Sequence, residues 1–380
     1  MIIGKKLRVL VVDDTIVYRK AVSDVLATIP GVEVVGVAHN GKIAMSKIQT
    51  LKPDLLTLDI EMPVMNGIEV LGELQKSNSS VGAIMVSTLT TDGGEMTMKA
   101  LELGAFDFIL KPTSSNQVES KSQLKQALTP IVREFKLSRN ASTLLSKKGR
   151  FQKNTAPVKR KPLRSLKKTN TNVSPTAEKS AAKPAMRRGK SEIVTIGIST
   201  GGPNALTQML PKLPGNLGVP IVIVQHMPPV FTKSLAASLN AKCALTVKEA
   251  EDREPLKDNT VYIAPGGKQM KLVASADGTN RQIKITQDPP ENSCRPSADY
   301  LFRSVGDYYV GRTTAVIMTG MGSDGTKGLQ VLNQKGATII AQDESSCVVF
   351  GMPKAPIETG LADVIAPLNK IADEIVKTVR

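Results

Sequence analysis

The sequence has no tryptophan, 3% aromatic residues, three cysteines and two histidines in 380 residues. Each scarcity narrows the field. Cys243, Cys294 and Cys347 are odd in number and far apart, which argues against a disulfide framework and for a reducing compartment, so a cytoplasmic location is expected. No apolar run of about eighteen residues occurs, so the chain is not expected to span a membrane. The opening MIIGKKLRVLVVDD has neither the h-region nor the cleavage site of a secretory signal. Imidazole chemistry has only His39 and His226 to draw on.

What is present fits two globular domains: 380 residues, 41% of them hydrophobic. A net charge of +16 invites a nucleic-acid reading, but +15 of it lies in residues 139–190, where sixteen Lys or Arg meet one acid, Glu178. That stretch is rich in Lys, Ser, Thr and Pro and poor in large apolar residues. It cannot bury enough surface to offset the entropy of ordering, which predicts a flexible basic linker. The basic residues follow no helical stripe and no helix-turn-helix pattern is evident, so no specific nucleic-acid partner is expected. The linker divides the chain into residues 1–125, a terminal helix plus linker over 126–190, and residues 191–380.

In the first part, apolar runs at 7–12, 32–37, 54–58, 82–87 and 106–110 alternate with helical spacing at 15–28, 41–50, 67–76, 92–103 and 116–137. This predicts a doubly wound (βα)5 parallel sheet, whose site lies at the carboxyl ends of its strands. Asp13 and Asp14 follow the first run, Asp59 the third, Ser87 the fourth and Lys111 the fifth. Taken singly, such acids could be turn residues or helix caps. Together, three carboxylates at one sheet edge would repel unless a cation joined them, and hard oxygen ligands suit Mg²⁺. The segments VVDD, LLTLDIEMPVMNG, MVST and KP resemble a two-component receiver domain over about residues 7–125. The resemblance implies Asp59 as phosphoacceptor, Asp13, Asp14 and Asp59 around Mg²⁺, Ser87 as the switch hydroxyl and Lys111 as a phosphoryl contact.

The second part shows a further α/β pattern, mostly parallel, with strands at 192–198, 219–224, 314–318 and 337–341 and shorter, partly antiparallel ones between 245 and 286. In VTIGISTGGPNAL (194–206), GISTGGP supports three readings: a phosphate-binding turn, a plain glycine turn, or a nucleophile elbow lifting Ser199. It lacks both the G-x-G-x-x-G spacing and a P-loop lysine. A serine nucleophile needs a base. His226 ends the next strand, and consecutive parallel strands are commonly neighbours. Asp324, in the glycine-rich VIMTGMGSDG, could orient the imidazole or merely cap the following helix.

GISTGGPNAL, QHMPPVFTKSLAASLN, YIAPGG, TGMGSDG and SSCVVFGMP closely resemble the chemotaxis protein-glutamate methylesterase/glutamine deamidase family over about 192–365. The resemblance implies a Ser199, His226 and Asp324 triad with the Thr200 and Met321 amides as oxyanion donors. It implies a phosphorylation-activated hydrolase that frees methanol from receptor glutamyl methyl esters and deamidates glutamines, without a cofactor for ester hydrolysis. It also implies methylated chemoreceptor cytoplasmic domains as substrates, a chemotaxis histidine kinase as phosphodonor, and an unphosphorylated receiver lying over the catalytic cleft.

Overall fold

The computed structural model describes residues 5–112, 116–151, 189–276, 278 and 280–380. Strands β1 (Leu7–Val12), β2 (Val32–Ala38), β3 (Leu55–Asp59), β4 (Gly82–Ser87) and β5 (Asp107–Leu110) alternate with α1 (Ile16–Ala27), α2 (Gly41–Leu51), α3 (Gly67–Lys76), α4 (Thr91–Glu102) and α5 (Gln117–Phe151). The strands form one parallel sheet in the order β2-β1-β3-β4-β5. The near-continuous apolar runs LRVLVV and GAIMVS follow from burial on both faces beneath helices. Local chemistry sets helix starts: Asn66 accepts from the Glu69 N–H while the Glu69 carboxylate takes the Asn66 N–H, closing a capping box before α3.

One expectation needed correction. The helix expected to stop at 137 runs to Phe151, through Pro130, so residues 139–151 are helical rather than extended linker. Their content of Leu, Lys, Arg and Ala favours helix, and no proline intervenes before Pro157. The rest of the expected linker, 152–188, lies outside the described residues. The short strands of the carboxy-terminal half are partly antiparallel, as expected: one antiparallel hairpin stands beside strands that pair in parallel.

That half comprises β6 (Ile193–Ile198), α6 (Gly202–Met209), β7 (Ile221–Gln225), α7 (Phe231–Asn240), β8 (Thr246–Glu249), β9 (Thr260–Ile263), the hairpin β10 (Gln269–Ala274) and β11 (Arg281–Thr286), and α8 (Ala298–Tyr308). It continues with β12 (Thr313–Ile317), α9 (Thr326–Gln334), β13 (Thr338–Gln342), α10 (Lys354–Glu358), β14 (Val364–Ala366) and α11 (Leu368–Val379). Seven strands make a wholly parallel sheet, β14-β13-β12-β6-β7-β9-β8. The order reverses at β6, which is followed in the chain by β7 on one side but bordered by β12 on the other. Such a switch point opens a crevice at the carboxyl ends of the strands.

The halves meet along α4 and β5. Phe108 of β5 stacks on Phe231 of α7, ring centres 4.7 Å apart and planes inclined by 27°. Gly94 of α4 comes so close to α7 that a Cβ there would lie 2.7 Å from Ser234 Oγ. At the rim, Ser238 donates to Glu102 at 2.7 Å and Lys242 pairs with the same carboxylate.

Candidate active site and phosphoacceptor site

Ser199 leaves the end of β6 on a turn only glycine allows. Gly201 has φ of 77°, and a Cβ on it would lie 2.5 Å from Val348 Cβ. The Ser199 N–H donates to Thr319 O at 3.0 Å, and the Gln225 side chain donates to Ser199 O at the same distance. The register pairs Ile198 with Gln225, so Ser199 and His226 are the next positions on neighbouring strands, and the His226 N–H reaches Ile198 O at 3.1 Å. Asp324 follows β12 on the other side of β6. Three residues distant in sequence thus leave three adjacent strands at the switch point.

Asp324 is 2% exposed and fully engaged. Its Oδ2 lies 2.8 Å from His226 Nε2 and accepts the Ala298 N–H at 2.6 Å; its Oδ1 accepts from Ser297 Oγ at 2.8 Å and Asn292 Nδ2 at 2.9 Å. It therefore holds the imidazole rather than capping α9, whose N-cap is Gly325. Burial pushes the Asp324 carboxyl up, but its bonds to His226, Ala298 and Ser297 overcome this and hold it near about 2. Burial pulls His226 down, while its contacts with Asp324 and Cys294 overcome that and raise it to about 9.

The ring orientation was not legible in the sequence. Because Asp324 takes Nε2, the ring nitrogen left for another partner is Nδ1, the reverse of the common triad arrangement. Here Nδ1 faces Cys294 Sγ at 3.7 Å, and among the described residues no hydrogen bond joins the Ser199 hydroxyl to the ring. Cys294 is the residue that sequence reasoning missed. It sits after the hairpin, in a turn closed by reciprocal Glu291 and Cys294 backbone bonds of 3.1 and 2.7 Å. Nothing in its spacing pointed to His226. Among the described residues the Thr200 and Met321 amides donate to no other group.

A cavity of about 480 Å³ has His226, Thr200 and Met321 on one wall, with Asp107, Lys111 and Pro130 of the amino-terminal half opposite. Burial raises the Asp107 carboxyl to about 6, against the hydrogen bond it accepts from the Phe108 N–H. The receiver-like half thus forms one wall beside the imidazole.

At its own sheet edge, ligand atoms of Asp13, Asp14 and Asp59 lie within 4.8 Å of one another. Lys111 Nζ is 2.6 Å from Asp59 Oδ2 and 3.0 Å from Asp13 Oδ2. The second contact lacks hydrogen-bonding alignment, leaving Asp13 Oδ2 buried without a hydrogen bond. Burial, aided by the Asp13 and Asp14 charges and opposed by Lys111, raises Asp59 to about 6. A buried carboxylate oxygen with no hydrogen bond and a set of hard donors fit a divalent cation. Ser87 points elsewhere: it accepts from Thr97 Oγ1 of α4 at 2.8 Å and lies 3.4 Å from Gly93 O. Among the described residues, His39 belongs to neither cluster of ligand atoms.

A doubly wound domain with an acid pocket, set against a parallel sheet bearing serine, imidazole and carboxylate at its switch point, defines the class of response regulators with a hydrolase output. Residues 9–123 match the response regulator receiver domain family and residues 194–375 match the family described as CheB methylesterase. A protein-glutamate methylesterase/protein-glutamine glutaminase of Desulfotalea psychrophila is 61% identical over 376 residues, 99% of each chain. Its counterpart from Bacillus subtilis is 42% identical over 375 residues, 98% of this chain and 99% of the relative. The solved catalytic domain of Thermotoga maritima CheB methylesterase is 46% identical, covering 50% of this chain and 99% of that one, with a TM-score of 0.48. The chain belongs to the protein-glutamate methylesterase/protein-glutamine glutaminase family.

Proposed function

We propose that the protein is a phosphorylation-activated serine hydrolase that removes methyl groups from chemoreceptor glutamyl esters and deamidates receptor glutamines. The observation that carries this is the hydrogen-bonded His226 and Asp324 pair placed one strand end from Ser199. In this reading residues 1–125 are the receiver, 126–190 the terminal helix and linker, and 191–380 the catalytic domain. Ser199 Oγ attacks the ester carbonyl as His226 Nδ1 takes its proton. Asp324 stabilises the resulting imidazolium, and the free Thr200 and Met321 amides face the oxyanion. His226 then returns the proton to departing methanol, and water repeats the sequence on the glutamyl-enzyme. With a carboxamide, ammonia leaves instead. Nδ1 must exchange Cys294 for Ser199 before the first step.

The receiver controls access. Asp59 accepts the phosphoryl group from a chemotaxis histidine kinase, and Lys111 pairs with its oxygens. Asp13, Asp14 and Asp59 would hold Mg²⁺, which supplies charge neutralisation for phosphoryl transfer. Ser87, now bonded to α4, is the hydroxyl a phosphoryl group at Asp59 competes for, and α4 is the helix against α7. Phosphorylation can shift docking only through such a state-specific interaction. Among the described residues no helix is long and apolar enough to cross a membrane, which suits an enzyme working on cytoplasmic receptor segments. The test is methanol release from methylated receptor membranes with and without a small phosphodonor. Ser199→Ala is expected to lower kcat by on the order of 10⁶. Near-normal release by that variant would rule the mechanism out.

A further inference from the structure

We propose that His226 Nδ1 and Cys294 Sγ form a binding site for a borderline-soft divalent cation, with Zn²⁺ the fitting ion, and that occupancy switches the enzyme off. The inhibitory half rests on the reading of His226 as the base; the binding half does not.

Imidazole and thiol are zinc-type donors, unlike the all-oxygen pocket of the receiver. Ligand atoms of His226, Cys294 and Asp324 lie within 4.8 Å of one another. With Zn–N of about 2.0–2.1 Å and Zn–S of about 2.3 Å, a tetrahedral N···S edge is about 3.6 Å. The Nδ1 to Sγ separation is 3.7 Å, too long for a strong hydrogen bond and already the length of that edge. Asp324 plays the part of the carboxylate behind a metal-bound histidine: its 2.8 Å contact with Nε2 favours, in the neutral ring, the tautomer whose lone pair is on Nδ1. Asn292, which donates to Asp324 from two residues before the thiol, ties the two flanks together.

Access is adequate. The His226 side chain is 13% exposed on the cavity wall, and Cys294 is only partly buried. Binding forms Zn–N and Zn–S bonds, releases the thiol proton and the imidazolium proton on Nδ1 to solvent, and leaves the remaining coordination positions to water. With its lone pair committed, Nδ1 accepts no proton from Ser199.

The test uses the full chain. Co²⁺, a spectroscopic stand-in for Zn²⁺, is titrated into wild type, Ser199→Ala, Cys294→Ser and His226→Gln, with circular dichroism as a check on folding. Wild type and Ser199→Ala should show a thiolate-to-cobalt charge-transfer band that excess Zn²⁺ bleaches. Cys294→Ser should lose the band and weaken Zn²⁺ binding by more than the roughly 10- to 100-fold attached to an outer-shell partner. No band in wild type, or a band surviving in Cys294→Ser, overturns the site. Zn²⁺ should also abolish methanol release reversibly, a chelator restoring it; metal binding without inhibition overturns the switch. If wild type releases no methanol under any condition, the hydrolase reading fails while the cobalt band still decides the metal site.

Discussion

The Phe108 and Phe231 stack offers the sharpest test of the proposal that the receiver restrains the hydrolase. Phe108 is 9% exposed and Phe231 fully buried, but the face of Phe108 is covered by a ring from the other half. Truncating it therefore costs the docked state more than the free receiver. Burying a phenylalanine side chain stabilises by about 1.5–3 kcal/mol. The aromatic pair adds about 0.5–1.5 kcal/mol. A net loss of about 2–4 kcal/mol from docking is expected, which shifts that equilibrium by roughly 30- to 700-fold. Phe108→Ala should raise methanol release by the unphosphorylated full-length protein toward the rate wild type reaches with saturating phosphodonor. Thermal unfolding run in parallel shows whether the receiver remains folded. A folded Phe108→Ala variant with the wild-type basal rate, still activated by phosphodonor, would refute docking through this contact.

The rim contact should matter far less. Glu102 and Lys242 are 34% and 35% exposed, and such pairs are worth about 0–1 kcal/mol, so Glu102→Gln should change the basal rate by less than about fivefold in the same assay. Because a base works only when deprotonated and His226 is raised to about 9, hydrolysis should climb with pH through an inflection above the ordinary histidine value. Asp324→Asn removes the raising partner, so a pH–rate profile of that variant should show a lower inflection on a much reduced rate. Gly201→Ala forces a side chain into a left-handed backbone and onto Val348. About 2–4 kcal/mol of stability should be lost, read from the urea midpoint. Asp59→Asn should keep the fold yet take up no label from a small phosphodonor in the presence of Mg²⁺.

Much of this was legible because strand and helix periods are local. Runs such as LRVLVV and IVTIGI announced buried strands, and the acids, hydroxyl and lysine following them marked one sheet edge. The GISTGG letters specified a sharp turn before the structure showed Val348 beneath Gly201. The end of α5 was not legible, because a charged stretch without proline reads equally as solvated helix or linker. Strand β14 and helix α10 escaped because three- and five-residue elements carry too little periodicity to register.

The order of residues by itself determined which segments are buried and which carry chemistry, since side-chain alternation and turn residues act over a few positions. Only the tertiary structure decided that β12 lies beside β6, that Asp324 takes Nε2 and leaves Nδ1 to Cys294, and that Phe108 covers Phe231. Those outcomes depend on contacts between residues tens to more than a hundred positions apart, whose geometry is set by the sum of packing across both halves and leaves no periodic trace in the chain.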